Sequence, residues 1–205
     1  MQSAANLSPM IAEEDRLRAD LYGFLSALLA APADKDLLAQ SAALTGDDTP
    51  LGRSIATLAK LAAVTGPESV EREFNTLFIG LGRGELLPYA SYYMTGFLHE
   101  KPLALLRRDM AALGISRAPN VFEPEDNIAS LLEVMAGLIT GRFGDPATVA
   151  RQRDFFNRHI APWAPHFFTD LEGAKGSVFY APVGAIGRHL MDIEREAFRL
   201  GAAST

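Results

Sequence analysis

Hydrophobic positions along this chain recur every three or four residues, the spacing of helices that bury one face. Pro9–Ala30 is predicted as the first helix, with Leu17, Leu21, Phe24, Leu25 and Leu28 inward. Shorter helices are predicted at Asp34–Ala43 and Leu51–Ala63, separated by the loop TGDDTP, and Pro67–Ile79 sets Val70, Phe74, Leu77 and Phe78 on one side. GLGRG at Gly80–Gly84 then reads as a helix stop, and LLPYASYY at Leu86–Tyr93 as an extended or irregular crossing. Pro102–Leu113 is predicted to bury Leu103, Leu106, Met110 and Leu113 before Gly114, and Ile115–Pro124 to act as a connector. Helices are also expected at Ala147–Ile160, with Val149, Phe155, Phe156 and Ile160 inward, and at Pro162–Leu171 around Trp163, Phe167 and Phe168. The last helix is the most regular: Val183, Ile186, Leu190, Ile193, Ala197 and Leu200 step by 3, 4, 3, 4 and 3. Proline precedes several of these segments, at Pro9, Pro50, Pro67, Pro102 and Pro182, where a missing amide costs a helix nothing. With no alternating strand and no internal repeat, the pattern predicts an all-α globule of about 8–11 helices with short connections.

The most distinctive stretch is VFEPEDNIASLLEVMAGLI at Val121–Ile139. Pro124 disfavours helical dihedrals at Glu123, and Asp126 is expected to cap the helix that follows by accepting from its first amides. Behind that cap Ile128, Leu131, Leu132, Met135, Leu138 and Ile139 commit one face to the core. From Ala118 to Gly141 there are four carboxylates, Glu123, Glu125, Asp126 and Glu133, and no Lys or Arg. An acidic rim beside apolar surface suits a partner that is both basic and hydrophobic. Acidic residues in a first helical turn also favour the macrodipole, so the same charges have a purely structural explanation.

Composition narrows the class. The 205 residues suffice for one domain, expected over residues 1–205 with disorder at 1–8 and 201–205, and 48% apolar with 21% charged residues is ordinary for a globular chain. A net charge of −6 argues against a nucleic-acid partner. The absence of cysteine excludes disulfides and thiolate chemistry. The apolar run Leu21–Ala31 follows a net-negative segment, the wrong sign for an export signal, and no run is long enough to cross a bilayer, so no stable membrane insertion and a cytoplasmic location are expected.

Enzyme templates fail one by one. GLGRG lacks both the flanking strand of a dinucleotide loop and the Lys-Ser/Thr of a phosphate loop. His99, His159, His166 and His189 are scattered, with no metal-ligand spacing, and no GxSxG elbow exists. Neither catalytic residues nor a metal nor a cofactor is expected. The loops Gly80–Tyr93 and Ile115–Glu125 are the expected functional places.

Taken in order, FNTLFIG at Phe74–Gly80, LPYASYY at Leu87–Tyr93, EPEDN at Glu123–Asn127 feeding an apolar helix, and HIAPWAPHFFTDLE at His159–Glu172 resemble the TorD/DmsD family of redox-enzyme maturation chaperones. The resemblance implies a cytoplasmic, non-enzymatic chaperone that binds the twin-arginine leader of a molybdenum-cofactor oxidoreductase. It would hold the apo catalytic subunit back from export until the cofactor is loaded. The implied leader-binding surface comprises Phe74, Leu77 and Phe78 on one helix, Pro88 and Tyr89 in the next loop, and Glu123, Pro124, Asp126 and Asn127 at the acidic cap. The family usually carries histidine where this chain has Asn127, which hydrogen-bonds but does not titrate. Glu123, Glu125 and Asp126 are suited to bidentate contact with guanidinium groups, and the aromatic and aliphatic residues to an apolar helix in a groove.

Two other readings stay open at this stage: a small-ligand or nucleotide-binding helical protein or hydrolase, and an assembly subunit that binds no leader. Both a monomer and a dimer that exchanges helices across hinge-like loops fit the chain.

Overall fold

A computed structural model describes residues 11–203, and these form ten α-helices joined by connections that are short except for the two at 75–89 and 113–127. They are α1 (Glu13–Ala30), α2 (Lys35–Ala42), α3 (Pro50–Val64), α4 (Pro67–Phe74), α5 (Ala90–Thr95), α6 (Lys101–Ala112), α7 (Ile128–Thr140), α8 (Val149–Phe155), α9 (Ala164–Gly173) and α10 (Tyr180–Ala203). Among the described residues there is no strand beyond one antiparallel bridge between Tyr89 and Asn127. No helix among them is long and apolar enough to cross a membrane.

α7 is the axis. All six of its expected core residues are buried, and so are Ala129, Val134 and Gly137, which leaves only a narrow outer strip. Full burial of each large aliphatic side chain contributes about 1.5–3 kcal/mol, so this one helix anchors much of the core. α1 lies along α7, α10 packs against α9 and α3, α2 lies on α3, and α5 meets α6. The α9–α10 approach is close because of two glycines. A Cβ at Gly184 would stand 2.5 Å from the Glu172 amide nitrogen, and one at Gly187 would stand 2.2 Å from the Phe168 ring.

Two expected helices continue past their α-helical part as wider π-turns, Asn75–Ile79 after α4 and Phe156–Ile160 after α8. The first carries Leu77 inward and ends at Gly80, whose φ of 63° is a left-handed stop; a Cβ there would meet the Arg83 carbonyl oxygen. The helix-stop reading of GLGRG therefore holds.

Several expectations need correction. The first helix was expected from Pro9; Pro9 lies outside the described residues, and α1 begins at Glu13. Its buried face is also rotated: Leu17 is 63% exposed, while Tyr22, Ser26 and Leu29 are buried beside Leu25 and Leu28. α10 keeps the expected face through Leu190 and then turns. Ile193 and Leu200 are exposed, and Met191, Glu194 and Phe198 are buried instead. One polar cluster explains both rotations. Glu194, wholly buried, accepts from Arg18 Nε and Nη2, each at 2.8 Å, and from the Tyr22 hydroxyl at 3.1 Å. Val149 is exposed because it opens α8 behind the Thr148 cap. The last four residues of the crossing expected to be extended or irregular, Ala90–Tyr93, are helical and open α5. At the chain ends, residues 1–8 lie outside the described residues, while 201–203 continue α10 where disorder was expected.

Candidate functional site

The bridge between Tyr89 and Asn127 brings the two expected functional loops together. Ile128 donates its amide to the Pro88 carbonyl at 2.8 Å, and Ala90 donates to the Asp126 carbonyl at 3.0 Å, so the start of α5 and the start of α7 are tied back to back. Asn127, rather than Asp126, caps α7 by accepting from the Ala129 amide at 2.9 Å. Asp126 reaches the other way. Its carboxylate accepts from the Ser91 amide at 2.8 Å in the first turn of α5, and it is 1% exposed. The proline two residues earlier sets this split, because the turn closed from the Asn127 amide to the Pro124 carbonyl aims adjacent side chains in opposite directions.

Beside this junction lies a hollow of about 300 Å³. Its floor and apolar wall come from Leu29 and Ala30 of α1, Phe74 of α4, Phe78 and Ile79 of the π-turn, and Pro88. Phe74 and Phe78 meet edge to face with centroids 4.9 Å apart, and Phe78 packs on Tyr180 at 5.7 Å, which fixes the wall. The polar side is Ser26, Tyr89, Glu123, Asn127, Ser130 and Glu133. Ser26 is held by donating to the Ala129 carbonyl at 2.8 Å, which pins α1 to the first turn of α7. A second hollow of about 250 Å³ adjoins the first and shares Val121, Glu123, Ser130 and Glu133 with it; Met110, Ile115, Val134 and Phe143 form its apolar part.

The ten expected site residues divide cleanly. Phe74, Phe78, Pro88, Tyr89, Glu123 and Asn127 line the first hollow. Leu77 is wholly buried in the core, because the widened π-turn sends it inward. Pro124 forms the turn without lining a hollow, and Asp126 is sealed beneath α5. Glu125 faces the second hollow and is already engaged: Arg107 donates to it through Nε and Nη2 at 2.9 and 2.8 Å, and Arg117 Nε lies 3.9 Å away. Partial burial pushes the Glu125 carboxyl upward, but the hydrogen bonds from Arg107 and its own backbone outweigh this and hold it below the usual carboxylate range.

Glu123 is different. The Tyr89 hydroxyl and Asn127 Nδ2, the latter at 3.2 Å, donate to its Oε1, and among the described residues no Lys, Arg or His pairs with it. Burial, and then the neighbouring Glu123 carboxylate, raise the Tyr89 phenol well above its ordinary value, so it stays a donor and orients the carboxylate. The hollow thus combines rigid apolar walls with a positioned negative charge, which is the chemistry of a receptor for a basic, apolar segment. Its wall from α1 is absent from the expected set. Its hydrogen-bonded tie to α7 is Ser26, a small polar residue on the buried face of α1.

No group of three His, Asp or Glu side chains among the described residues is placed to hold a metal ion. His159 is a buried partner of Asp109 at 2.9 Å and lines neither hollow.

The chain matches the family described as nitrate reductase delta subunit over residues 44–169, a span that includes all ten expected site residues. It is 29% identical over 171 residues to the chaperone protein TorD of Aliivibrio fischeri, covering 73% of this chain and 80% of that one. It is 30% identical over 187 residues to the chaperone protein TorD of Aliivibrio salmonicida, covering 81% and 87%. Among solved structures, the crystal structure of a candidate redox enzyme maturation protein from Archaeoglobus fulgidus shares the fold, with a TM-score of 0.56 at 20% identity over 94% of this chain and 99% of that one.

Proposed function

Since the chain belongs to the nitrate reductase delta subunit family, the family of the TorD chaperones, we propose that it is a redox-enzyme maturation chaperone that binds the twin-arginine leader of a molybdenum-cofactor oxidoreductase in this groove. Binding takes place in the cytoplasm, on the apo catalytic subunit, and delays export until the cofactor is in place. The observation that carries the reading is Glu123, a carboxylate oriented by Tyr89 and Asn127, without a cationic partner among the described residues, at the edge of an apolar hollow. A guanidinium of the leader meets that carboxylate. The apolar stretch after the arginine pair rests on Leu29, Phe74, Phe78 and Pro88, in the manner of a helix lying in a groove.

Calorimetry of the protein with a synthetic twin-arginine leader tests this. A hydrogen bond to a charged group contributes about 1.5–3 kcal/mol, so Glu123→Gln, which keeps the contacts to Tyr89 and Asn127 but removes the charge, should weaken binding about tenfold or more with the melting temperature unchanged. An affinity equal to wild type would remove Glu123 from the reading, and a wild-type protein that binds no leader would overturn it.

A further inference from the structure

The three carboxylates around the paired hollows differ in how firmly their own chain already holds them. Glu125 has a side chain 12% exposed and receives both donors of Arg107. Glu123 has no cationic partner among the described residues. Glu133 is intermediate: Arg142 Nη1 donates to its Oε1 at 2.6 Å, with side chains 51% and 62% exposed. Glu133 and Glu123 are also the two carboxylates shared by both hollows, so they flank the place where the hollows meet. Glu125 lines only the second.

Arg142 is delivered to Glu133 by the end of α7. Gly141 turns the chain with φ 77°, the Arg142 amide donates to the Gly137 carbonyl at 3.0 Å, and the Phe143 ring packs so closely on Gly137 that a Cβ there would stand 2.2 Å away. This turn lies against the flank of α7, and the Arg142 side chain runs back nine residues to Glu133 along the wall of the second hollow.

We propose that Glu133 is a second guanidinium receptor beside Glu123, and that Arg142 is a built-in competitor that the partner's arginine displaces. The proposal rests on the leader-binding reading above and deepens it: two consecutive arginines meet two carboxylates, one open and one guarded. Displacement is cheap, because a pair exposed to this degree contributes little in water and is screened by salt. An arginine that enters with an apolar segment behind it exchanges one guanidinium for another and gains the burial of that segment. A partner carrying a single arginine satisfies Glu123 alone and leaves Arg142 in place, so the guard favours paired arginines over single ones.

The test is calorimetry of wild type, Arg142→Gln, Glu133→Gln and the double variant, each against a twin-arginine leader peptide and against the same peptide with both arginines replaced by glutamine. Arg142→Gln should tighten binding of the arginine peptide about two- to fivefold, the range that the loss of one exposed ion pair allows, and leave the glutamine peptide unchanged. Glu133→Gln should weaken the arginine peptide, and adding Arg142→Gln to it should change nothing further. Both side chains are exposed, so equal melting temperatures across the set are expected.

An Arg142→Gln variant that binds no tighter overturns the proposal while leaving the leader reading intact. Equal tightening with and without Glu133 also overturns it, because that would mark long-range repulsion instead of competition. A wild-type protein that binds neither peptide removes the leader reading and this inference together.

Discussion

Glu194 and Glu123 are built on the same plan at two depths. Each is a glutamate oriented by a tyrosine hydroxyl, from Tyr22 in the one case and Tyr89 in the other. At Glu194 the plan is completed from within the chain by Arg18 through two hydrogen bonds, with Gln152 Oε1 3.4 Å from Arg18 Nη2, and the carboxylate is wholly buried between α1 and α10. At Glu123 the amide of Asn127 stands in the second place, and no guanidinium among the described residues approaches. The difference is one of use. A buried charge must be matched inside the protein or the fold is strongly destabilised, whereas a charge at the rim of a hollow can be left for a partner to match.

The largest effect expected from this contrast lies at the buried end. Arg18→Met keeps the length and apolar stem of the side chain but leaves the Glu194 carboxylate with only the Tyr22 hydroxyl. Removing one partner of a buried pair typically costs about 3–5 kcal/mol, so denaturant unfolding should show a loss of that order. The comparison fails if Arg18→Met is as stable as wild type. It sharpens if the double variant with Glu194→Leu recovers stability, since replacing both charges by apolar groups removes the desolvation cost.

That cluster also marks where sequence reasoning lost the phase. In α10 the 3, 4 stepping of apolar residues is true to the core as far as Leu190, and then Glu194 takes a place in the buried stripe that a hydrophobicity pattern reads as outside. In α1 the partners Arg18 and Tyr22 rotate the helix, so Leu17 faces water. A long-range ion pair leaves no periodic trace in either segment. The buried face of α7 was fully legible because the helix is buried almost all round, although its cap was placed one residue early.

At the groove, the chain brings together the segments that the motif order pointed to, and the charge count misled in a specific way. The stretch without Lys or Arg, Ala118 to Gly141, stops one residue short of Arg117 and of Arg142, and those two arginines fold back on Glu125 and Glu133. Of the four carboxylates, Glu123 alone is both exposed and without a cationic partner among the described residues. The wall from α1 could not be read locally, since it comes from about a hundred residues upstream, as the contact between Ser26 and Ala129 shows.

Asp126 gives the next effect in size. Its carboxylate accepts from the Ser91 amide and is sealed from solvent, so Asp126→Ala should cost about 1–2 kcal/mol through the lost helix cap. The variant separates fold from binding within one five-residue motif. Asp126→Ala should lower the melting temperature, while Glu123→Gln should lower leader affinity alone. If Asp126→Ala leaves the melting temperature unchanged, the cap is not contributing and the assignment of the two acids is reversed.

The smallest effect concerns pH and again contrasts interior with groove. His159, buried against Phe155, has its imidazole pushed below the ordinary histidine value of 6.5 by burial, with the Asp109 carboxylate only partly offsetting this. The folded state therefore takes up this proton less readily than the unfolded chain. Its contribution is whole above pH 6.5 and is lost as the pH falls through 6.5 toward the lowered folded value, with a slope of at most about 1.4 kcal/mol per pH unit. His189, also pushed down by burial and then by Arg188, acts in the same direction, so His159→Gln should reduce the slope without abolishing it. The groove has no histidine in either lining, and Asn127 stands where a titrating side chain would couple leader binding to pH. Between pH 7.5 and 6.0 the melting temperature should fall while leader affinity, measured at a temperature where the protein stays folded, holds steady. A parallel loss of affinity over that range would show that the interior and the groove are not independent, and the contrast between the completed and the open glutamate would have to be given up.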